Sequence, residues 1–476
     1  MGRMAVNTLL FRLLVAIVLL APLPLGSNRP WSWSLLAVAV GLLLAVWSVR
    51  AAMGRVAVPI PPAFLLPVGL PYALVLGWAA LQTSSVTPPS LWHPMWAEAT
   101  PALGLAGGPG NGLGNGLGNG MISADPAMTW AAVLRLACYA GIFWLAVQFG
   151  RDRGRAREAV VALCIAGTVY ATYGLTVHLA GWENILWLKK WAYAGDLTAT
   201  FVNRNAYGAY AGLGVVCCIG LFVNALRPRQ GSQSPGAYDL VETLLLRAMP
   251  YLACGLVIGT ALLLSHSRGA FLSTGLALGV LLILLSAAGL VPRRMALPLV
   301  GAVVLVALVT VSASGDGTIT RLAEQTSVEH DSGRTNVYRL TMDAIADAPY
   351  TGMGLGTFKP AFRMYRDTTL LDPVVWEFAH NVPLELAMEL GVPAAALLGL
   401  SLAVIAGVCL RGLMVRRRDR LYPALAVASM VLLGAHGLVD FSVQIPAVAA
   451  TFALLLGLGF AQSWNTRTLE PASSGD

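Results

Sequence analysis

The chain has 476 residues, of which 57% are hydrophobic and only 11% charged, with a formal net charge of +8. Soluble domains carry roughly a quarter charged residues, so this composition excludes an ordinary soluble enzyme and marks an integral membrane protein. The positive balance does not point to nucleic acid, because the arginines stand at alternate ends of the apolar runs and form no single basic face.

About twelve apolar runs have the length, roughly 18–23 residues, that crosses about 30 Å of hydrocarbon as a helix. They are expected at 9–26, 31–49, 61–82, 128–149, 158–180, 205–226, 249–267, 270–290, 295–313, 392–410, 421–441 and 445–463. None alternates like a barrel strand, so the fold class is an all-α integral membrane bundle. Arg3, Arg12, Arg50, Arg55, the run Arg151 to Arg157, Arg227, Arg229, Arg247, Arg293, Arg294 and the run Arg411 to Arg420 fall on one side. The positive-inside rule makes that side cytoplasmic and places both termini there. The connection 83–127 has no Lys or Arg, and 314–391 sets six basic against eleven acidic residues, so both face outward. Three parts result: spans one to nine in 1–313, an outer helical loop in 314–391, and three further spans with a cytoplasmic tail in 392–476. All six cysteines lie in expected helices, and no disulfide framework or metal-ligand spacing is present. The first run lacks a small-x-small cleavage site near Pro22 to Gly26 and reads as a span, not a secretory signal.

In chain order, the first chemistry-bearing residues are Trp92, His93 and Trp96, which read as interfacial anchors. The Gly/Asn-rich repeat 107–120 reads as a flexible outer loop. Arg135 sits inside the fourth expected span, where an ionisable group is costly; it either snorkels outward or serves an outer site. An outer loop with Lys189 and Lys190 leads to Arg204, flanked by Asn203 and Asn205, at the mouth of the sixth span. Arg268 lies in the tight turn SHSRGAF before the eighth. Two arginines on a side normally depleted of them suggest an anion site, since guanidinium matches phosphate oxygens with paired hydrogen bonds.

The segment 314–391 holds eleven of the 23 acidic residues and is where chemistry is expected. Arg334 opens an amphipathic helix carrying Val337, Leu340 and Ile345 that ends before Pro349. Gly352, Gly354 and Gly356 have no surrounding βαβ unit and read as a turn between helices rather than a nucleotide loop. His380 and Asn381 precede Pro383, so His380 stands just before a helix start. It is either structural or a general base whose imidazole a neighbouring acid, such as Glu385 or Glu389, orients. His436 and Asp440 are four apart on the eleventh span, on one face, as a structural pair or a support for the site.

These features together resemble the O-antigen ligase family of Gram-negative inner-membrane glycosyltransferases. The resemblance rests on the outer loop before the tenth span, on His380–Asn381 followed by nine residues and Gly391, and on GLVDFSVQIPA from Gly437 to Ala447. It covers about Gly195 to Ala450; Ala394 departs from the Thr or Gly more usual in the family. The resemblance implies a GT-C-like fold with its active site facing the periplasm. It implies transfer of a polysaccharide from an undecaprenyl diphosphate-linked glycan donor to a sugar hydroxyl of a lipid A-core acceptor among membrane lipids, with no cofactor and no metal. His380 would be the base, Arg204 and Arg268 would hold the diphosphate, and Arg334 would assist. Arg135, Asn381 and Asp440 complete the expected substrate-binding set. O-antigen polymerases and protein O-oligosaccharyltransferases of the same superfamily differ in acceptor only, and a membrane transporter is the alternative from another class.

Overall fold

A computed structural model describes residues 3–102, 120–227, 242–292, 294, 297–301, 326–370 and 374–465. Among them, eight helices are long and apolar enough to cross a membrane. These are α2 (Pro30–Ala52), α3 (Leu66–Gln82), α5 (Pro126–Phe149), α6 (Arg153–Leu179), α7 (Arg204–Ala225), α8 (Met249–Leu264), α9 (Arg268–Ala287) and α13 (Val392–Val415). A 3-10 turn from Pro62 extends α3, and a π-helical turn, Thr243–Ala248, leads into α8. Three shorter apolar helices join them: α1 (Arg3–Leu20), α14 (Leu421–Gly437) and α15 (Pro446–Gln462). The protein is thus an all-α, multi-pass membrane protein. Eleven of the twelve expected spans coincide with one of these helices. The ninth, 295–313, lies outside the described residues from 302 onward, as do 314–325 and the Gly/Asn repeat except Gly120.

The first span differs from its expected range, 9–26, because its helix stops at Leu20. Pro22 and Pro24 cannot continue it, and Leu25, Gly26 and Ser27 all adopt positive φ in the turn that follows.

Two helices form the centre. Nearly every residue of α15 is buried, packed against α5 and α14, and α7 is enclosed by α6, α8, α9 and α14. Close approach replaces the hydrophobic effect as the packing force between helices in lipid, so small residues line the contacts. A Cβ on Gly457 of α15 would stand 2.5 Å from Ala146 Cβ and 2.7 Å from Phe143 O of α5. The opposite faces of the outer helices present Leu35, Leu42, Leu70, Leu74, Ile165 and Val169 outward, a surface suited to hydrocarbon.

Between α9 and α13, a helical cap covers one end of the bundle. It comprises α10 (Thr326–Asp347), α11 (Phe358–Phe362) and α12 (Val382–Leu390), around a core of Val337, Leu340, Met353, Phe358, Phe362 and Met388. Helix α10 stops before Pro349, as expected. The glycine segment is a turn, and its glycines are required by close approach. Gly352 (φ +64°) and Gly391 (φ +78°) lie where the chain at 349–353 crosses that at 389–392, with Val392 N donating to Pro349 O (2.8 Å). Gln82, buried at the end of α3, ties the crossing together: its amide donates to Thr351 O and Glu389 O and accepts from Leu355 N.

His93 is buried rather than interfacial, and the half-buried Trp92 and Trp96 bond to the neighbouring backbone. His93 is 5% exposed and its Nδ1 accepts from Met95 N; its backbone N donates to Met121 O, and Trp96 Nε1 donates to Ser123 O. They fold the stretch after α3, including α4 (Met95–Ala102), onto residues 120–123. Burial lowers the His93 pKa to about 4, which keeps the ring neutral. A hairpin of two short strands, β1 (Asn184–Ile185) and β2 (Leu188–Lys189), follows α6 and was not expected.

Candidate active site

A cavity of about 550 Å³ opens beneath the helical cap, walled by the start of α7, Tyr193, α10, the extended segment Val374–Phe378, His380 and Phe441. Arg204, Arg334 and His380, which lie far apart in sequence, all line it.

Arg204 is held by the start of α7, where the Asn203 side chain caps the helix by accepting from Asn205 N and Ala206 N. Its Nη1 pairs with Asp196 Oδ2 at 2.8 Å, and its guanidinium lies over Tyr193 at 5.6 Å. Asp196 spends its other oxygen on His266 Nδ1 (2.8 Å), and its carbonyl accepts from Lys190 Nζ (2.6 Å). The charge of Arg204 is therefore shared with a carboxylate. Arg334, on α10, pairs with no carboxylate among the described residues, so the cavity carries excess positive charge on that wall.

His380 has a left-handed backbone, φ +55°, a conformation that costs a non-glycine residue about 1–3 kcal/mol. Three bonds hold it. Ala379 N donates to Glu385 Oε2 (2.7 Å), Tyr338 Oη donates to His380 O (3.0 Å), and Asn381 caps α12 by accepting from Leu384 N (3.1 Å). The imidazole stands edge-on to Trp376 (5.7 Å) and Phe441 (5.0 Å), and Phe441 stacks on Phe378. Its Nδ1 is buried 3.6 Å from Asp440 Oδ2, and the side chain remains 18% exposed. A proton on Nδ1 directed at this carboxylate leaves Nε2, on the opposite edge of the ring, with a lone pair.

The carboxylate beside His380 is thus Asp440, not Glu385 or Glu389. Nor does Asp440 share a helix face with His436, because α14 ends at Gly437. The turn after it places Asp440 to accept from Asn205 Nδ2 (2.7 Å) and Ser442 Oγ (2.6 Å). Burial alone would raise the Asp440 pKa, but His380, His436 and Ser442 together outweigh it and hold the carboxyl below its ordinary value. Asn205 is a site residue that sequence reasoning passed over, since a polar residue in the first turn of a helix reads as part of a cap.

Glu385 and Glu389 face the other way along α12. Glu385 accepts from Ala379 N and Gln444 Nε2, and Glu389 accepts from Phe358 N. Burial and the neighbouring Glu389 push Glu385 well up; burial pushes Glu389 up to about 7. Arg135 is on that side too, lining a second, largely apolar cavity of about 390 Å³ together with Glu389, and it lies across from Trp33 rather than from His380. Asn381 has both polar side-chain atoms engaged, since its Nδ2 donates to Leu438 O (3.0 Å). Arg268, the first residue of α9, is exposed and is not part of the cavity wall, although Gly269 packs against His436.

The decisive comparison concerns the chain from within α8 to within α13. Residues 253–399 match the family model Wzy_C, described as O-antigen ligase. That segment is similar to the O-antigen ligase family. No curated protein matches the chain. The matched segment contains Arg268, Arg334, His380 and the whole helical cap, whereas Arg204, Asn205 and Asp440 lie outside it and reach the site through the fold. The match supports glycosyltransferase-type chemistry of the ligase and polymerase superfamily acting on lipid-linked glycans.

Proposed function

We propose that the protein is an O-antigen ligase that moves a polysaccharide from undecaprenyl diphosphate to a sugar hydroxyl of lipid A-core. The observation that carries the reading is His380 backed by Asp440 on a cavity that also presents Arg204 and Arg334. Diphosphate is a good leaving group, so the reaction needs positive charge to hold it and a base to take the acceptor proton. The acceptor oxygen attacks the anomeric carbon from the face opposite the diphosphate. The new C–O bond forms as the bond to the diphosphate oxygen breaks and the electron pair leaves with it. The hydroxyl proton passes to His380 Nε2. This single displacement inverts the anomeric centre and requires no metal, because guanidinium groups supply the charge. Asp440 stabilises the imidazolium that forms.

The fold is read as GT-C-like, with the cavity at the periplasmic face of the bacterial inner membrane. The helix ends bearing Arg153, Arg247 and Arg416, together with both termini, would lie in the cytoplasm. The supporting placement is that α6 runs from Arg153 away toward the hairpin beside the cavity, and α7 returns from Arg204. A transporter is disfavoured by the same placement, since transporters bind near the bilayer midplane on broken helices. O-antigen polymerases and protein O-oligosaccharyltransferases would share the donor grip and differ in acceptor. Supplying purified protein and donor with lipid A-core, a second lipid-linked glycan or a pilin-like protein tests the assignment. Transfer to lipid A-core alone is expected; transfer only to one of the others would replace ligase by that activity.

A further inference from the structure

We propose that a third cavity, at the opposite end of the bundle from His380, binds the phosphate headgroup of an anionic phospholipid. This cavity, about 820 Å³, lies between the start of α6, the end of α7 and the π-helical turn leading into α8. Arg153, Arg157, Arg227 and Arg247 line it, and among the described residues no acidic one does. Among the described residues, the carboxylate that pairs with Arg153, Asp419 (2.8 Å), is shared with Arg416 (3.5 Å), while Glu158 on the same helix is engaged by Arg12. Arg157 donates to Tyr251 Oη (3.2 Å), and among the described residues neither Arg227 nor Arg247 pairs with a carboxylate.

Topology alone asks only that arginines face this compartment; here they ring a hollow whose apolar floor opens, at Ile165, onto the hydrocarbon-facing surface of the bundle. Along α6 the lining reads Arg153, Arg157, Val161, Ile165, four positions at one-turn steps spanning about 18 Å. Charge stands at the mouth and hydrocarbon below, the same order as a phospholipid headgroup and its chains. The π-helical turn carries Arg247 into the wall, and such local register changes recur at functional sites. Inorganic phosphate shares the headgroup chemistry, but the apolar floor favours the lipid.

The test uses the full-length protein in neutral detergent, titrated with phosphatidylglycerol, with phosphatidylethanolamine of the same chains, and with inorganic phosphate, binding being read by native mass spectrometry. Phosphatidylglycerol is expected to bind at least about tenfold more tightly than phosphatidylethanolamine. Arg157→Gln/Arg247→Gln should erase that preference, as loss of charge-assisted hydrogen bonds predicts. Ile165→Trp, which fills the floor and keeps every arginine, should weaken phosphatidylglycerol binding as well, whereas Arg417→Gln, an exposed arginine at the same end, should leave it unchanged. Equal affinity for the two lipids, an undiminished preference in the double variant with an unchanged melting temperature, or phosphate binding as tight as the lipid would overturn the proposal.

Discussion

His380 is placed by restraints of backbone and ring alike: a left-handed φ, a carbonyl bound by Tyr338, and a buried Nδ1 facing Asp440. A general base contributes about 10²–10⁴-fold, so His380→Ala is expected to lower kcat for transfer by that factor while leaving membrane insertion and melting temperature near those of wild type. Asp440→Asn keeps the shape but loses the charge that selects the tautomer; it should reduce kcat at least about 100-fold, with a smaller change in donor KM. The arginines separate by position. Arg334→Gln removes the cavity's uncompensated cation and should cost about 10–100-fold in kcat/KM, whereas Arg268→Gln, outside the wall, should cost less than tenfold. Comparing the two by initial-rate kinetics checks this. Glu385 and Glu389 are near His380 in sequence and therefore attract the role of orienting acid, but one turn of α12 aims them at Ala379 and Phe358. Asp440, sixty positions away, takes that place, and no local pattern reports such a contact.

At the scale of elements, α12 is the support of the site, and its stability should depend on pH. Burial raises the pKa of both its carboxyls, so the folded state holds those protons more tightly than the unfolded chain. The contribution is full below the ordinary carboxyl pKa and is lost as pH rises toward about 7 and beyond. Hydrogen exchange of residues 382–390 should therefore quicken between about pH 4.5 and pH 7 after correction for intrinsic rates, and Glu389→Gln should flatten the profile. An unchanged profile in that variant would remove Glu389 from the explanation. The helices themselves were legible because twenty apolar residues in a row admit few other structures, and the Pro349 and Pro383 boundaries followed from proline chemistry. The burial of His93, the short hairpin and the binding of Gln82 to two distant carbonyls were not, since each depends on which loops meet.

For the molecule as a whole, the arrangement is a bundle with one end capped by helices around a chemical cavity and the other rimmed by arginine. The arginine pattern conveyed this polarity directly from the sequence. Convergence of Arg204, Arg334 and His380 did not follow from it, because it depends on how α7 and α10 are set around Tyr193 and Trp376. A topology reporter or membrane-impermeant thiol reagent at an introduced cysteine should label position 187 from the periplasm and position 417 from the cytoplasm; the reverse would invert the assignment. The measurement that tests the central claim most directly is glycan transfer from undecaprenyl diphosphate donor to lipid A-core by purified protein, in EDTA, comparing wild type, His380→Ala and Asp440→Asn. The account predicts transfer by wild type that persists in EDTA and collapses in both variants. Full transfer by a correctly inserted His380→Ala protein would contradict it.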